Sequence, residues 1–236
     1  LQPPLKGDNI LIITNGGGVG VLGTDAAEKF GVPLKFAPED VQAELKKHMP
    51  EFGSAKNPVD LTGMAGNDWY FDTVNFSFAH KWVDGLVVLY CETAMTDPMG
   101  IAKSIKDAVE KTGIKDKPVA VSFVGGERSE KAMHWLVENG VPAYQAPDIA
   151  LNAMAALREY AIIRASANEE PFVNTKANKK AALDIINKAR ADGREALTEI
   201  EAKGVFAAYG MPVTQVKLST SEDEAVAIAK EIGFPI

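Results

Sequence analysis

From residue 10 to about residue 165, short runs that are apolar at every position alternate with stretches whose apolar residues recur every three or four positions. The runs at 10–13, 86–89 and 119–121 carry no polar residue on either alternate face. Strands of that kind belong in a parallel sheet covered by helices on both sides. Six strands are expected, at residues 10–14, 34–36, 58–61, 86–90, 119–124 and 142–144. Between them lie amphipathic stripes: Val41, Leu45 and Met49; Ile101, Ile105, Ala108 and Val109; Met133, Leu136 and Val137. The second opens on Asp97-Pro98, an N-cap with a first-turn proline, and closes on Gly113, while Gly140 ends the third. Residues 149–164 read as a long final helix. Parallel strands need crossover connections, so the alternation predicts a doubly wound α/β domain.

After residue 165 the pattern changes. Residues 166–177, with Asn168-Glu169-Glu170-Pro171 and Asn174-Thr175-Lys176, read as a polar linker. A helix over 179–191 follows, then Gly193, a helix over 196–209, a turn at Gly210-Met211-Pro212 and a strand over 213–218. Ser221 with Glu224 three residues on is a capping box for a helix reaching Ile232. The expected division is therefore an α/β domain over 1–165, a linker and helix over 166–193, and the opening of a second domain over 194–236. The chain begins at Leu1 and stops at Gly233-Phe234-Pro235-Ile236, where an apolar strand is about to begin. Both ends read as cut from a longer protein.

Composition narrows the field. The chain has 236 residues, 46% hydrophobic and 24% charged, which excludes collagenous and wholly disordered classes. The net charge is −7 and neither part is basic, which argues against a general grip on nucleic acid or anionic membrane. Cys91, the single cysteine, has no partner for an internal disulfide and no zinc framework around it. Apolar runs are too short to span a bilayer and no leader pattern opens the chain, so the cytoplasm is the expected address.

The polar, glycine-rich segments fall where parallel strands end, the edge at which open α/β sheets bind ligands. The first is Asn15-Gly16-Gly17-Gly18-Val19-Gly20, before a helix expected to turn Val21, Leu22, Ala26 and Phe30 inward. Glycines clear the way for an anion, and a helix start aims N–H groups at it; a tight turn alone needs fewer than three in a row. Residues 18–23 also match G-x-G-x-x-G, with Glu39 placed to meet a ribose, although the first glycine falls late for a dinucleotide. In Asn57-Pro58-Val59-Asp60-Leu61-Thr62-Gly63, Asp60 and Thr62 either orient a polar ligand or close the loop. The segment from Glu92 to Pro98 reads as helix capping. In Gly125-Gly126-Glu127-Arg128-Ser129, Arg128 either holds a carboxylate or phosphate, or pairs in solvent with Glu127 or Glu130. His48, His80 and His134 read as surface or boundary residues, and the aromatic helix from Trp69 to Phe78 as core or as a neighbour's contact. No nucleophile, metal cluster or acid–base pair emerges.

The runs Ile10-Leu11-Ile12-Ile13-Thr14-Asn15-Gly16-Gly17-Gly18-Val19-Gly20 and Lys56-Asn57-Pro58-Val59-Asp60-Leu61-Thr62-Gly63 resemble those of the ADP-forming acyl-CoA synthetases, relatives of succinyl-CoA synthetase. Residues 204–213 and 221–235 resemble the opening of that family's ATP-grasp domain. The resemblance covers nearly the whole chain and implies a flavodoxin-like fold. It implies an enzyme, an acid–CoA ligase, that interconverts acyl-CoA, phosphate and ADP with acid, CoA and ATP through an acyl phosphate and a phosphohistidine. It assigns Gly16, Gly17, Gly18 and Val19 to phosphate, where Asn15 and Gly20 are expected to join them, and places Gly125, Gly126 and Arg128 beside the acyl substrate, where Asp60 and Thr62 are also expected. Arg128 stands one residue nearer the glycines than that pattern has it.

None of the three histidines lies in the family's Ser-His-Thr-Gly motif, so no catalytic residue is assigned within these residues. No cofactor is expected on this stretch alone; ATP or ADP, Mg2+, CoA and phosphate belong to the whole enzyme. The expected partners are CoA-binding and phosphohistidine domains of the same or a companion chain, the ATP-grasp domain, and an acyl-CoA or carboxylic acid. No nucleic acid or membrane partner is expected, and the full-length form is expected to be an oligomer. The chain alone is expected neither to turn over acyl-CoA nor to phosphorylate itself. Two other readings stand beside this one: a regulatory module fused to an acetyltransferase, and an NAD(P)-dependent oxidoreductase.

Overall fold

The runs that are apolar throughout become the central strands of a five-stranded parallel sheet. In the computed structural model, which describes residues 2–166 and 177–236, these are β1 (Ile10–Thr14), β2 (Val59–Asp60), β3 (Gly85–Cys91), β4 (Val119–Val124) and β5 (Ala143–Tyr144). Their order is β2-β1-β3-β4-β5, the flavodoxin-like arrangement, with every pairing parallel. Side chains alternate across a strand, so both faces are apolar because both are covered. Leu11 and Ile13 enter one core layer with Leu86, Val88 and Tyr90; Ile10 and Ile12 enter the other with Val87 and Leu89.

Six helices cover this sheet: α1 (Gly17–Lys29), α2 (Glu39–Leu45), α3 (Asn67–Ala79), α4 (Pro98–Thr112), α5 (Glu127–Glu138) and α6 (Pro147–Ser166). Residues of α2 to α5 line the first layer, and those of α1 and α6 the second. Helix α4 starts and stops as its sequence directs: Asp97 accepts from the Gly100 N–H at 3.1 Å, and Gly113 closes it in the left-handed region at φ 67°. The aromatic helix α3 is a core element. Tyr70 and Phe78 are fully buried, and Trp69, Phe71 and Phe76 pack against the same layer.

Two expectations for this region are corrected. Residues 34–36 form no strand. The edge of β1 they would need is taken by the Asn57 side chain, which accepts from Ile12 N–H at 3.0 Å and donates to the Ile10 carbonyl at 2.7 Å. The same amide donates to the Lys35 carbonyl at 3.0 Å, so it stands where a ladder would form. The second correction concerns α1. Val21 and Leu22 face out, at 60% and 58% exposure, while Gly20, Gly23, Ala26 and Ala27 face the sheet. A Cβ at Gly23 would lie 2.6 Å from Leu89 Cδ1, so the helix lies too close to β3 for larger residues.

The chain divides into two compact units, Leu1–Glu169 and Glu170–Ile236. Most of the expected linker, residues 166–177, falls outside the described residues. In the second unit lie α7 (Lys179–Ala191), α8 (Glu199–Ala208) and α9 (Glu222–Ile232). Helix α8 begins later than its apolar pattern suggests because Thr198 caps it: the Thr198 N–H donates to Glu201 at 2.8 Å, and the Glu201 N–H donates back to Thr198 Oγ1 at 3.4 Å. At α9 the expected box is half made. Ser221 accepts from the Glu224 N–H at 3.2 Å, but the Glu224 carboxylate turns to Thr220 N–H at 2.7 Å. Residues 213–218 form no strand, because no described residue pairs with them and an isolated extended segment has no ladder. Among the described residues, no helix is long and apolar enough to cross a membrane.

Candidate functional site

β1 hands the chain outward to β2 and pairs inward with β3, so the switch point of the sheet lies between the carboxyl ends of β1 and β3. Asn15 joins those ends. It is buried, its Oδ1 accepts from the Cys91 N–H at 2.8 Å, and its Nδ2 donates to the Cys91 carbonyl at 2.9 Å. The Asn15 side chain is therefore a brace, bonded to backbone through both its oxygen and its nitrogen, that fixes where the glycine turn begins. The Gly16 N–H donates to Thr14 Oγ1 at 3.0 Å, and a Cβ at Gly16 would sit 3.2 Å from Cys91 Cβ. Gly20 closes the first helical bond onto the Gly16 carbonyl at 2.9 Å and packs on Thr14.

What remains is a bare helix start. Gly17 and Gly18 are exposed, and nothing stands within 4 Å of a Cβ built at Gly18. The N–H groups of Gly17, Gly18 and Val19 have no partner among the described residues, and α1 has neither a capping side chain nor an acid in its first turn. Three aligned donors and the positive end of a 13-residue helix dipole thus face solvent together. Gly18, Gly20 and Gly23 all lie inside α1, so the G-x-G-x-x-G match is helical rather than a dinucleotide loop.

The neighbouring loop flanks this start. Asp60 Oδ1 accepts from the Thr62 N–H at 2.8 Å, and Oδ2 lies 3.2 Å from where a Gly17 Cβ would be. Thr62 sits at φ 73°, a costly conformation for a β-branched residue. The Asp60 bond and an Ala65 N–H donated to the Thr62 carbonyl at 3.0 Å hold it there. The Thr62 hydroxyl oxygen is buried without a partner. Thr93 Oγ1 donates to the Gly63 carbonyl at 2.9 Å and ties this loop to the one after β3.

The other helix starts at this edge already hold carboxylates. Asp97 caps α4, Asp68 lies in the first turn of α3, and Asp148 in that of α6. At α5 a residue read from sequence only as part of a capping segment, Glu92, takes the place expected of a ligand. Its Oε2 accepts from Ser129 Oγ at 2.6 Å and from the Gly126 N–H at 3.2 Å. Arg128 approaches Glu92 Oε1 at 3.5 Å and Asp97 Oδ1 at 3.7 Å, rather than Glu127 or Glu130. Gly126 and Arg128, expected at the acyl substrate, thus contact Glu92 in this structure, and Gly125 lies against it. Glu92 and Ser129 stand 37 residues apart, so no local spacing announces the pair.

The histidines lie elsewhere. His48 is 3.7 Å from Asp72, His134 is 3.8 Å from Glu130, and His80 Nδ1 accepts from the Trp82 N–H. Burial pushes the phenols of Tyr70 and Tyr90 above their ordinary range, so both stay neutral. Among the described residues, no group of three or more His, Cys, Asp or Glu side chains is placed to hold a metal ion.

Residues 10–168 match the model of the Ligase-CoA domain, and residues 188–236 that of an ATP-grasp domain. The chain is 43% identical over 168 residues to the acetate–CoA ligase (ADP-forming) I subunit alpha of Pyrococcus furiosus, a match covering 71% of this chain and 36% of that protein. It is 50% identical over 58 residues to the acetate–CoA ligase (ADP-forming) II subunit beta of the same organism, covering 25% of each. Among solved structures, the dinucleotide-forming acetyl-coenzyme A synthetase 1 of Ca. Korarchaeum cryptofilum, in complex with phosphate and ADP, superposes with a TM-score of 0.66. That pair shares 42% identity over 70% of this chain and 35% of the other. The chain spans about a third of the length of the full-length curated relatives and alpha subunit it matches.

Proposed function

Because the chain belongs to the Ligase-CoA domain family, we propose that it is the phosphate-binding part of an ADP-forming acyl-CoA synthetase, joined to the opening of that enzyme's ATP-grasp domain. The whole enzyme interconverts acyl-CoA, phosphate and ADP with a carboxylic acid, CoA and ATP. One observation carries the reading: α1 is the helix start at the carboxyl edge that holds no carboxylate of its own, with three partnerless N–H groups on glycine-rich backbone. Phosphoryl transfer depends mainly on positioning and on stabilising charge spread over the equatorial oxygens. Fixed backbone donors meet that demand without reorganising, and the Asn15 brace keeps them in register with the sheet edge. That the related Korarchaeum synthetase was solved in complex with phosphate and ADP supports an enzyme that uses both.

Within this reading Gly16 closes the turn, Gly17, Gly18 and Val19 supply the donors, and Gly20 lets the helix settle on β1. Asp60 acts as the prop of Thr62. The acyl phosphate and the phosphohistidine intermediate form with groups from other domains of the same or a companion chain, since His48, His80 and His134 are engaged away from this edge. In this reading CoA, ATP or ADP, and Mg2+ belong to the whole enzyme. The match to a beta subunit and to an ATP-grasp model supports a nucleotide-binding domain as the immediate neighbour.

The test is Gly18→Asp in the full-length enzyme. A carboxylate in the first turn is favourable to the helix, so the thermal midpoint should hold or rise. The same charge opposes phosphate, so KM for phosphate should rise about tenfold or more. A folded variant with an unchanged phosphate KM would contradict the reading.

A further inference from the structure

We propose that Asp60 selects the protonation state of the anion taken at the start of α1, so that this site accepts hydrogen phosphate and rejects sulfate. The phosphate role proposed for α1 is the premise; what the site discriminates is new. Asp60 reaches α1 from the end of β2 and is half-buried. Its Oδ1 is committed to the Thr62 N–H at 2.8 Å. Its Oδ2 lies 3.2 Å from where a Gly17 Cβ would be, beside one of the three N–H groups without a partner. Among the described residues Oδ2 accepts no hydrogen bond, and no lysine or arginine pairs with the carboxylate. A bare negative oxygen therefore borders a cluster of donors that favours an anion.

The surroundings do not relieve that charge. Tyr70, in the first turn of α3, is fully buried with its hydroxyl partnerless, and its ring meets Tyr90 edge-on with centroids 6.3 Å apart. Burial is the main reason its phenol is held well above the ordinary range; Tyr90, Cys91 and Asp60 add to the rise, and the Asn15 N–H opposes it. The hydroxyl thus shares a corner with Asp60 and the Asn15 brace, and none of these neighbours is a cation. Sulfate and hydrogen phosphate are both tetrahedral and doubly charged, so backbone donors and a helix dipole alone scarcely tell them apart. Oδ2 does. It faces every oxygen of sulfate with like charge, whereas the P–OH of hydrogen phosphate donates to it in a short, charge-assisted bond. A site built around such a bond rejects the analogue that cannot make it.

The experiment follows backbone amides of the nitrogen-15-labelled 236-residue chain by NMR at neutral pH and constant ionic strength, titrated with inorganic phosphate and, separately, with sulfate. In the wild type the amides of Gly17, Gly18 and Val19 should shift saturably with phosphate, and sulfate should bind about tenfold more weakly or worse. Asp60→Asn keeps an oxygen for the Thr62 N–H but removes the charge, so it should bind sulfate more tightly and lose most of the preference. Equal wild-type responses to the two anions overturn the proposal and leave the α1 assignment standing; this comparison needs no variant and decides the matter even if Asp60→Asn fails to fold. A folded Asp60→Asn that keeps the full preference also overturns it. Silence of α1 toward phosphate overturns the α1 assignment and this inference with it.

Discussion

Asn57 occupies the position of a backbone neighbour. Its carboxamide meets the Ile12 N–H, the Ile10 carbonyl and the Lys35 carbonyl, so one side chain satisfies the outer edge of β1 where a strand would otherwise pair. Asn57→Ala strands a buried donor and a buried acceptor in the central part of the fold. The expected cost is about 2–4 kcal/mol, read from urea unfolding with an unchanged slope. A loss below about 1 kcal/mol would show that the edge finds other partners. At this scale the sequence is legible only where the partner is near. Asp97, Pro98 and Gly113 announce their roles within one helix. Asn57 and Glu92 do not, because their partners lie 45 and 37 residues away and spacing carries no trace of them.

Elements are set by their ends and by how closely they approach the sheet. The apolar rhythm of α1 suggested Val21 and Leu22 as the inner face, yet glycine faces inward because only the absence of a Cβ allows the approach to Leu89. Periodicity counts apolar residues and so misses a face made of glycine. For α8 the signal was present and local: Thr198 and Glu201 stand at capping-box spacing, and Arg194 reaches Glu201 at 2.6 Å. These bonds pull the Glu201 carboxyl down to about 2, with Arg194 the largest cause and the Thr198 N–H the next. Since its folded pKa lies below the ordinary carboxylate value, the stabilisation is complete above that value and is lost as pH falls toward about 2. The pair is partly exposed, so salt should weaken the effect. The wild type should therefore melt above Glu201→Gln at neutral pH, with the gap narrowing on acidification when followed by circular dichroism. A gap of constant size across that range would contradict the ion-pair account.

Across the whole molecule, topology decides where chemistry can occur. A parallel sheet covered on both faces was implicit in runs apolar on both faces, and the carboxyl edge followed from it, so the location of the glycine turn was legible before any coordinates; the strand order β2-β1-β3-β4-β5 was not. Which helix start stays open was legible only in part: Asp97 caps α4 from the position just before it, whereas Glu92 reaches the start of α5 from 34 residues away. In the proposed function α1 is the start left for phosphate. That assignment is tested most directly by titrating inorganic phosphate into the labelled chain and mapping every backbone amide that responds. Saturable shifts centred on Gly17, Gly18 and Val19 are expected, with the first turns of α3, α4 and α5 silent. A silent α1, or an equal response at α5, would contradict it.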